Sequence, residues 1–539
     1  ETGETIFEHT QELQTRYAQL KRDYGHLISD DVWKLLKIAV DYHDVGKAYG
    51  YFQMIIRRAM KLEYEHHSGP NIPHNYLSPF FLPLDQFDLT PAQRKVVVQA
   101  IAYHHERDED FQADLIEDIY EEELLPLTPL VAQHMQLEMN QGEQNLHKLY
   151  RYMEARNRID SIRNFEEYRL YVMVKGLLHK LDHSASAHVD VECDADADLA
   201  QLTETYLRQK FGEQSLRDLQ IFAKQNQEQN LIVIAQTGMG KTEAALLWAG
   251  KKKTFFTLPL RVSLNALFKR VFRDMEFRGA GLLHSSSASY LNEQGEEDWE
   301  VIYDQSKHLS SKLLFTTIDQ ILKFPIKFKG HEKYYATIAY SAVVIDEIQA
   351  YEPKIAAILL KALEMIHKIG GKFMIMTATL PQLYLDYLEE KGILQRGQDY
   401  LLETFVNDQI RHRISLEKRA IHENLDAIIK AGSEKKVLVI VNTVKKAVEL
   451  YNTLKRSGAR LFHSMFIQKH RGMLEHAIKD FDKEQSKTGI WITTQLVEAS
   501  IDIDFDELHT EAATLDSLFQ RFGRCYRRRE LDHAGKGSI

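Results

Sequence analysis

The chain has 539 residues, a length that predicts about three or four domains. Hydrophobic residues make up 44% of it and aromatic residues 10%, as in ordinary soluble globular proteins, and no apolar run is long enough for a membrane span. The net charge of −10 argues against a protein that coats nucleic acid over its whole surface, but it leaves room for a local basic channel. A candidate for that channel is the cluster Arg521, Arg524, Arg527, Arg528 and Arg529.

The two cysteines, Cys193 and Cys525, are too few for a disulfide framework or a thiolate zinc site. Any metal ion must therefore be held by histidine and carboxylate side chains. The first four residues have neither the basic nor the apolar region of a secretory signal peptide. With the low cysteine content, this predicts a cytoplasmic protein that does not associate with a membrane.

Residues 1 to about 190 are predicted to be helical. Apolar residues recur there at intervals of three and four, loops such as residues 68–71 separate them, and alternating strand patterns are scarce. Residues 190–198 are acidic and poor in bulky apolar side chains, which is typical of a solvated connector. We therefore place an all-helical domain at residues 1–200.

Within this region, residues 42–47 read Tyr-His-Asp-Val-Gly-Lys. His43 continues an apolar stripe that includes Val32, Leu36 and Ala39, so its side chain is predicted to point into the protein. One interpretation is a core histidine with a single satisfied hydrogen bond, and the other is a metal ligand. Similar spacing places four more polar side chains on inward stripes of other predicted helices: His9, His104, His105 and Asp182.

This inward set favours the metal interpretation. As purely structural residues, His9, His43, Asp44, His104, His105 and Asp182 would each need a separate buried hydrogen-bond partner. Imidazole and carboxylate ligands suit Mn, Fe, Co, Ni or Zn better than Mg or Ca. A carboxylate such as Asp44 can bridge two metal ions about 4 Å apart, which clamps the attacking and leaving oxygens of a phosphodiester.

After residue 200, short apolar runs alternate with helical patterns, which predicts parallel, doubly wound sheets. A first set of strands is predicted at residues 231–234, 254–258, 343–345 and 373–376. After a connector at about 401–430, a second set begins at 437–441 and includes 490–492. We therefore expect two α/β domains, at residues 201–400 and 401–539.

The first predicted strand of this part leads into Ala-Gln-Thr-Gly-Met-Gly-Lys-Thr at residues 235–242, followed by a helical pattern. Apart from Ala235 in place of the first glycine, this is the P-loop pattern in its required context. Its glycines let backbone N–H groups close around phosphate oxygens at a helix N-terminus. Lys241 is expected to reach the β- and γ-phosphates, and the Thr242 hydroxyl to ligate Mg²⁺. ATP with Mg²⁺ is therefore the expected ligand, with Thr237, Gly238 and Gly240 in the phosphate-binding loop.

A carboxylate pair follows the strand at 343–345, at the carboxyl end where ligands of such sheets bind. Asp346 is expected to hold Mg²⁺ and Glu347 to polarise the attacking water. Alone, the pair would be interpreted as a charged turn. Together with a P-loop roughly a hundred residues upstream, it predicts an ATPase site.

These residues resemble the superfamily 2 helicases of the DEAD-like type over roughly residues 215–530. The resemblance implies that Gln220 reads adenine and that Thr377-Ala378-Thr379 couples hydrolysis to domain movement. Residues 493–502 resemble the strand-contacting motif, and residues 520–527 the arginine motif. It further implies that Gln520 belongs to the nucleotide site and that Arg521 and Arg524 face the γ-phosphate across the cleft between the two α/β domains. Implied strand contacts are Arg261, Thr316, Thr317, Thr493 and Thr494.

The helical region resembles the HD phosphohydrolase family, and its fusion to such a helicase resembles the CRISPR-associated helicase-nuclease family of type I interference. The matching motifs are Glu8-His9-Thr10, His43-Asp44-Val45-Gly46-Lys47, residues 73–78, His104-His105, and Asp182 with Ser186. For the third metal ligand we choose His74, because the following Leu77-Ser78 fits the family's motif better, with His66 and His67 as the alternative. Lys47 either holds the scissile phosphate or is a solvated lysine at a helix end.

The fold implied by this resemblance is an all-α HD-type domain followed by two RecA-like α/β helicase domains. The second is expected to be incomplete, because the family extends past the arginine motif whereas this chain stops at Ile539. The implied activity is a metal-dependent single-stranded DNA nuclease coupled to an ATP-dependent DNA helicase or translocase. It would use two divalent transition-metal ions (Fe, Mn, Co or Ni) and be recruited by an RNA-guided, Cascade-like surveillance complex to its displaced strand.

Two other functions remain open from the sequence. One is an HD phosphohydrolase that acts on nucleotides or RNA, with an RNA-remodelling ATPase. The other is an ATP-gated strand-binding module whose helical domain is only a docking platform.

Overall fold

The computed structural model describes residues 3–105, 113–142, 146–212, 216–236, 238–295, 298–390, 392–406, 410–484, 486–501, 503–527 and 529. As predicted, the N-terminal region is helical. Its helices are α1 (Ile6–Tyr24), α2 (Asp30–Tyr42), α3 (Gly50–Ala59), α4 (His74–Leu77), α5 (Pro91–Ala102), α6 (Ala113–Ile119), α7 (Leu125–Met135), α8 (Leu146–Met153) and α9 (Phe165–Ser186).

The starts of the main helices are encoded locally. Thr5 and Glu8 form a capping box at α1, and Thr90 and Gln93 form another at α5, where Pro91 occupies the first turn. The long helix α9 buries an apolar stripe and packs against α1, α2 and α5. It is therefore the central helix of this region.

The first α/β unit follows two connecting helices, α10 (Leu199–Phe211) and α11 (Asp218–Gln225). Its strands are β1 (Asn230–Ala235), β2 (Lys253–Thr257), β3 (Ala280–Leu283), β4 (Leu313–Thr316), β5 (Ser341–Asp346), β6 (Lys372–Thr377) and β7 (Tyr400–Phe405). Its helices are α12 (Lys241–Ala249), α13 (Arg261–Lys269), α14 (Ser287–Glu293), α15 (Trp299–Lys307), α16 (Ile318–Ile321), α17 (His331–Ile338), α18 (Pro353–Ile369) and α19 (Gln382–Glu390). The sheet is parallel throughout, in the order β3-β4-β2-β5-β6-β1-β7.

The second α/β unit has a smaller parallel sheet in the order β11-β8-β10-β9. Its strands are β8 (Lys436–Ile440), β9 (Arg460–Phe462), β10 (Gly489–Thr493) and β11 (Glu507–Thr510). Its helices are α20 (Leu425–Glu434), α21 (Val444–Leu454), α22 (Gln468–Lys483), α23 (Leu496–Ser500) and α24 (Leu515–Phe522). The predicted strands are present in both sheets, which confirms a helical region followed by parallel α/β units.

Two expected connectors differ from the prediction. The first residues of the connector at 401–430 belong to β7, which pairs with β1 along its whole length. The acidic segment at 190–198 is not simply solvated, because Val191 and Glu192 are buried. Glu192 tolerates burial because Lys180 and Lys253 neutralise it.

The helical region packs directly on the first sheet. One continuous core joins residues of α9 and α2 to apolar side chains of β2, β5 and β6. Close approach of α9 to α17 requires Gly176, since a Cβ there would lie 2.2 Å from the carbonyl oxygen of Glu332. Within the described ranges, no helix is both long and apolar enough to span a membrane.

Candidate metal centre and nucleotide site

Seven polar side chains converge inside the helical region, and all seven were singled out in the sequence. They come from α1, the end of α2, the start of α4, the turn after α5, and the last turns of α9. They are His9, His43, Asp44, His74, His104, His105 and Asp182. The structure therefore gathers residues from distant parts of the chain into one site.

Asp44 stands between two groups of imidazoles. Its Oδ1 atom lies 3.1 Å from Nε2 of His74 and 3.8 Å from Nε2 of His104. Its Oδ2 atom lies 3.5 Å from Nε2 of His43 and 3.8 Å from Nε2 of His9. One group is Asp44, His74, His104 and His105, the other is His9, His43 and Asp44, and the potential ligand atoms of each group lie within 4.8 Å of one another. This is the arrangement expected of a carboxylate that bridges two cations.

The ring orientations of His43 and His104 are fixed by backbone carbonyls. Nδ1 of His43 lies 3.0 Å from the Val40 oxygen, and Nδ1 of His104 lies 2.7 Å from the Ile101 oxygen. Nδ1–H therefore donates, and Nε2 carries the lone pair. Both Nε2 atoms are buried and have no hydrogen-bond partner among the described residues. Such atoms are costly to bury unless something binds them, so the donor set fits a metal ion.

The electrostatics favour the metal-binding protonation states of Asp44, His104 and His105. Burial lowers the pKa of His104 well below its usual range, and burial together with His74 lowers that of His105 to about 4. Burial alone would raise the pKa of Asp44, but His43, His74 and Lys47 hold it well below its usual range. His104 and His105 are thus neutral imidazoles beside an ionised Asp44 carboxylate, and such ligands are what divalent transition metals require. At His9 burial is outweighed by the hydrogen bond to Asp182 and the charge of Asp44, which raise the pKa of its imidazole.

The remaining residues surround Asp44. Asp182 Oδ1 lies 3.1 Å from Nε2 of His9, and Nε2 of His105 lies 3.0 Å from Nε2 of His74. Lys47, which is partly exposed, lies with its Nζ 2.5 Å from Oδ2 of Asp44. Lys47 therefore forms an ion pair with the central carboxylate of the candidate site.

Of the alternatives left open by the sequence, the structure brings His74 into the site. His66 is exposed, and Nε2 of His67 lies 2.9 Å from Glu123 Oε2, in a separate ion pair.

Two supporting residues lacked an assigned role in the sequence. The Ser78 hydroxyl accepts a hydrogen bond from the Gly46 backbone N–H at 2.9 Å and donates to the His74 carbonyl at 3.0 Å. A Cβ at Gly46 would lie 2.2 Å from that carbonyl oxygen, so only glycine fits. This contact fixes the turn carrying Asp44 against the segment carrying His74. In the sequence, the glycine two residues after Asp44 was the feature that could have indicated this close contact.

The candidate nucleotide site lies at the carboxyl ends of β1 and β5. Lys241 and Thr242 open α12, and Gly238 and Gly240 have φ angles of 87° and 82°, which favour glycine. Lys241 Nζ lies 3.1 Å from Oε1 of Glu347. Burial, reinforced by the charge of Glu347, raises the pKa of Asp346 to about 7, and its Oδ1 atom has no hydrogen-bond partner among the described residues. Thr237 lies outside the described residues.

The other predicted nucleotide-site residues divide into two places. Gln220 is buried near Gly240, and its Oε1 atom accepts a hydrogen bond from the Arg217 backbone N–H at 3.1 Å at the start of α11. Gln520 lies in α24 of the second α/β unit and is partly exposed. The structure therefore places Gln220 beside the P-loop, while Gln520 belongs to the other unit.

Gln349 connects the carboxylate pair to the predicted coupling element, a role that the sequence did not assign. Its Nε2 donates to Oε2 of Glu347, and its Oε1 accepts from the Thr377 hydroxyl. The same hydroxyl contacts the Thr379 carbonyl at 2.5 Å. A chain of hydrogen bonds thus runs from Glu347 to residues 377–379. In the sequence, the glutamine three residues after Asp346 was the feature that could have indicated this hydrogen-bonded connection.

Arg521 and Arg524 are buried and bonded within the second α/β unit. Arg521 donates to Glu498 Oε1 at 2.7 Å and to Asn442 Oδ1 at 2.9 Å, and Arg524 donates to the Val497 carbonyl at 2.7 Å. Arg529 pairs with Asp504 and Asp506, and Arg528 lies outside the described residues. Arg521, Arg524 and Arg529 therefore do not form the expected basic channel, because their guanidinium groups are bonded to carboxylates, an amide and backbone carbonyls within the same unit.

The predicted strand contacts fall into exposed and buried sets. Arg261 and Thr317 line a pocket of about 170 Å³ at the carboxyl ends of β2 and β4, together with Asp319 and Tyr351. Thr316 is buried and donates to the Leu283 carbonyl at 2.8 Å. Thr493 and Thr494 are also buried. Of the predicted strand contacts, Arg261 and Thr317 are therefore the accessible ones, because they line this pocket.

Comparison with known proteins gives two matching family models. Residues 218–386 match the model described as DEAD/DEAH box helicase, and residues 433–530 match CRISPR-associated nuclease/helicase Cas3, C-terminal. A relative named CRISPR-associated nuclease/helicase Cas3, from Methanothermobacter thermautotrophicus, is 31% identical over 386 residues, which is 67% of this chain and 46% of the relative. The chain thus spans about half the length of this relative.

Solved structures share the fold. The crystal structure of T. fusca Cas3 matches with a TM-score of 0.66 at 17% identity, over 98% of this chain and 73% of that one. A chain in the structure titled CRISPR RNA-guided surveillance complex, pre-nicking, matches with a TM-score of 0.62 at 17% identity, over 98% of this chain and 70% of that one. The likeness includes the helical region as well as the α/β units.

Proposed function

Because the chain belongs to the family of CRISPR-associated Cas3 nuclease/helicases, we propose that it is a metal-dependent single-stranded DNA nuclease joined to an ATP-driven translocase. Residues 1–200 would form an HD-type nuclease domain, residues 201–400 the first RecA-like ATPase domain, and residues 401–539 the second. The order of the metal centre and the P-loop along the chain supports this division.

The observation that carries the nuclease proposal is the position of Asp44 between two groups of imidazoles. His74, His104 and His105 would hold one divalent transition-metal ion, and His9 and His43 the other, with Asp182 completing the site through His9. Bound there, the two ions would polarise a phosphodiester and lower the pKa of an attacking water. Lys47, beside Oδ2 of Asp44, places an ammonium group where it can contact a phosphate oxygen.

The ATPase proposal rests on the P-loop and the carboxylates facing it. Lys241 would hold the β- and γ-phosphates, Thr242 and Asp346 would hold Mg²⁺, and Glu347 would orient water. The hydrogen bonds from Glu347 through Gln349 to Thr377 give hydrolysis a route to the segment at 377–379. Arg521 and Arg524 are proposed to act on ATP only after the two α/β units move together and exchange their present partners.

The biological setting is proposed from the relatives. Their names place them in CRISPR systems, and one structure of the same fold belongs to an RNA-guided surveillance complex before nicking. We infer a Cascade-like partner whose displaced DNA strand enters the metal centre.

The test is cleavage of circular single-stranded DNA by the metal-loaded protein, with RNA circles and free nucleotides as alternative substrates. Cleavage of DNA with added Mn²⁺, Co²⁺ or Ni²⁺, and its loss on chelation, is expected. Preferential hydrolysis of RNA or nucleotides would favour the phosphohydrolase alternative, and binding without cleavage of any substrate would favour the strand-binding module. Metal analysis of the purified protein measures whether two ions are bound per chain.

A further inference from the structure

Basic side chains gather where α9, the helix that carries Asp182, meets the first α/β unit. His183 directly follows Asp182 on α9, Lys307 and His308 lie at the end of α15, Lys323 follows α16, and Lys333 lies in α17. We refer to these five residues as the basic notch. They belong neither to the metal centre nor to the nucleotide site.

Lys333 forms the floor of the basic notch. Its side chain is only 7% exposed, and its Nζ lies 3.4 Å from Nδ1 of His183. Within the described residues, no carboxylate lies at ion-pair distance from it. Burial, with the charges of Lys323 and Lys307, lowers its pKa to about 8. A buried cation with only cationic and neutral neighbours is costly unless an anion joins it.

The two histidines add hydrogen-bonding capacity without adding negative charge. The rings of His183 and His308 lie 6.2 Å apart, centroid to centroid. The Nδ1 atom of His308 is buried and has no hydrogen-bond partner among the described residues. Burial, with Lys333 as the next cause, lowers the pKa of His308 to about 4. The basic notch is thus rich in cations, and His183 and Lys307 are exposed at its surface.

An exposed aromatic residue extends the basic notch. Phe328 is 56% exposed, and Nζ of Lys323 lies 5.8 Å from its ring centroid. Lys323 also donates to the Tyr334 hydroxyl at 2.8 Å, and Lys333 lies 5.6 Å from the centre of the same Tyr334 ring. Proteins commonly bind single-stranded nucleic acid with lysines that contact the phosphates and with accessible aromatic rings that stack on the bases.

We propose that the basic notch and Phe328 bind the backbone and one base of a single DNA strand where it reaches the metal centre. Since His183 directly follows Asp182 on α9, the basic notch and the metal centre lie on adjacent faces of the same helix. The residues of the notch would act as positioning residues, and such contacts do not read sequence. This inference rests on the proposed function and adds to it the surface that delivers the strand.

The test compares Lys307→Glu, Lys333→Gln and Phe328→Ala with the unaltered protein and with Lys251→Glu. Lys251 is an exposed lysine in the turn before β2, outside the basic notch, and is the charge-matched control. Affinity is measured by fluorescence anisotropy on the metal-loaded protein, with a phosphorothioate oligothymidylate that resists cleavage, over a range of salt concentrations. Thermal unfolding shows whether each variant is folded. If Lys333→Gln is unstable, Lys307→Glu still tests the inference, because Lys307 is exposed and its replacement does not disturb the core.

Each lysine variant is expected to bind about tenfold more weakly and to reduce the slope of log affinity against log salt by roughly 0.7 for each phosphate that is no longer neutralised. Phe328→Ala is expected to weaken binding by about tenfold without changing the slope, because stacking releases no counterions. With a cleavable strand, Lys307→Glu should raise KM more than it lowers kcat. Lys251→Glu should match the unaltered protein.

The inference is overturned if the Lys307 and Phe328 variants bind like Lys251→Glu. It is also overturned if inorganic phosphate at low concentration displaces the oligothymidylate from the unaltered protein, since the notch would then be a site for a small phosphate ligand. A protein that loses strand affinity in these variants but cleaves no nucleic acid would contradict the nuclease proposal and support the notch as a strand-binding surface.

Discussion

Glu192 and Lys253 form an ion pair, with 2.5 Å between Oε2 and Nζ, and both side chains are completely buried where the helical region meets the first sheet. Oε1 of Glu192 lies 3.2 Å from Nζ of Lys180 and accepts a hydrogen bond from the Tyr340 hydroxyl at 2.6 Å. One carboxylate therefore neutralises a lysine of α9 and a lysine of β2. It ties the helix that carries Asp182 to the sheet that carries the P-loop.

Replacing Glu192 by alanine is expected to lower the free energy of unfolding by about 3 to 5 kcal/mol, because two buried ammonium groups lose their counter-ion. The measurement is the midpoint of thermal unfolding by calorimetry. The matched control is Glu228→Ala, which breaks the pair with Lys252, because Glu228 is 79% exposed and such surface pairs contribute roughly 1 kcal/mol or less. Equal shifts for the two variants would show that the buried pair has no special role.

Asp44→Ala is expected to abolish DNA cleavage and to reduce bound metal, while DNA-stimulated ATP hydrolysis stays within about twofold. Both oxygens of Asp44 face imidazoles, whereas the P-loop lies in another part of the chain. Asp41→Asn serves as the control, since Asp41 is also buried on α2 but pairs with Lys37. If a folded Asp44→Ala protein lost both activities equally, the division of labour would be wrong.

Lys241→Ala is expected to stop ATP hydrolysis and ATP-driven movement, but to spare metal-dependent nicking of free single strands. The ammonium group faces Glu347 in the nucleotide site and has no role at the metal centre. ATP hydrolysis and nicking of short strands are assayed side by side with and without ATP. The prediction fails if every cleavage of short single strands by the unaltered protein requires ATP.

The two activities should differ in their preferred metal. Mn²⁺, Co²⁺ or Ni²⁺ should support nicking better than Mg²⁺ at equal concentration, because Mg²⁺ exchanges water for nitrogen ligands reluctantly. ATP hydrolysis should prefer Mg²⁺, since Thr242, Asp346 and the phosphates offer only oxygen. Each activity is titrated against each metal. An identical ranking of metals for both would contradict the nitrogen-rich assignment.

A related change tests the histidines of the metal centre individually. His104→Ala and His105→Ala should each lower the amount of metal retained after dialysis, because their rings lie in the group around Oδ1 of Asp44. His67→Ala, whose imidazole pairs with Glu123 outside the site, is the control. If the His104 and His105 variants retained as much metal as the unaltered protein, the two rings would be structural core residues and not metal ligands.

Much of the fold follows from local sequence. The 3.6-residue spacing of apolar positions predicted the helical region, and it placed His9, His43, His104 and Asp182 on inward faces. The P-loop and the carboxylates at the carboxyl end of β5 were recognisable because the phosphate chemistry requires those residue types at strand ends. Short strands were harder to predict: β3 and β4 have four residues each, too few to show a period, and they form only because neighbouring strands supply their hydrogen bonds.

Tertiary structure decided what depends on residues far apart in the chain. The sequence favoured His74 through the following Leu77-Ser78 but left His66 and His67 as alternatives, because the outcome depends on how α4 packs against the turn after α2. It could not show that Glu192 is buried, since its partner Lys253 lies 61 residues away. It also favoured the arginines after residue 520 as a basic channel, although Arg521, Arg524 and Arg529 are bonded to internal carboxylates and carbonyls. The basic notch is instead assembled from four separate places in the chain. Periodicity and motif chemistry are local properties, whereas burial, charge pairing and the sharing of Asp44 between two groups depend on which surfaces meet when the chain folds.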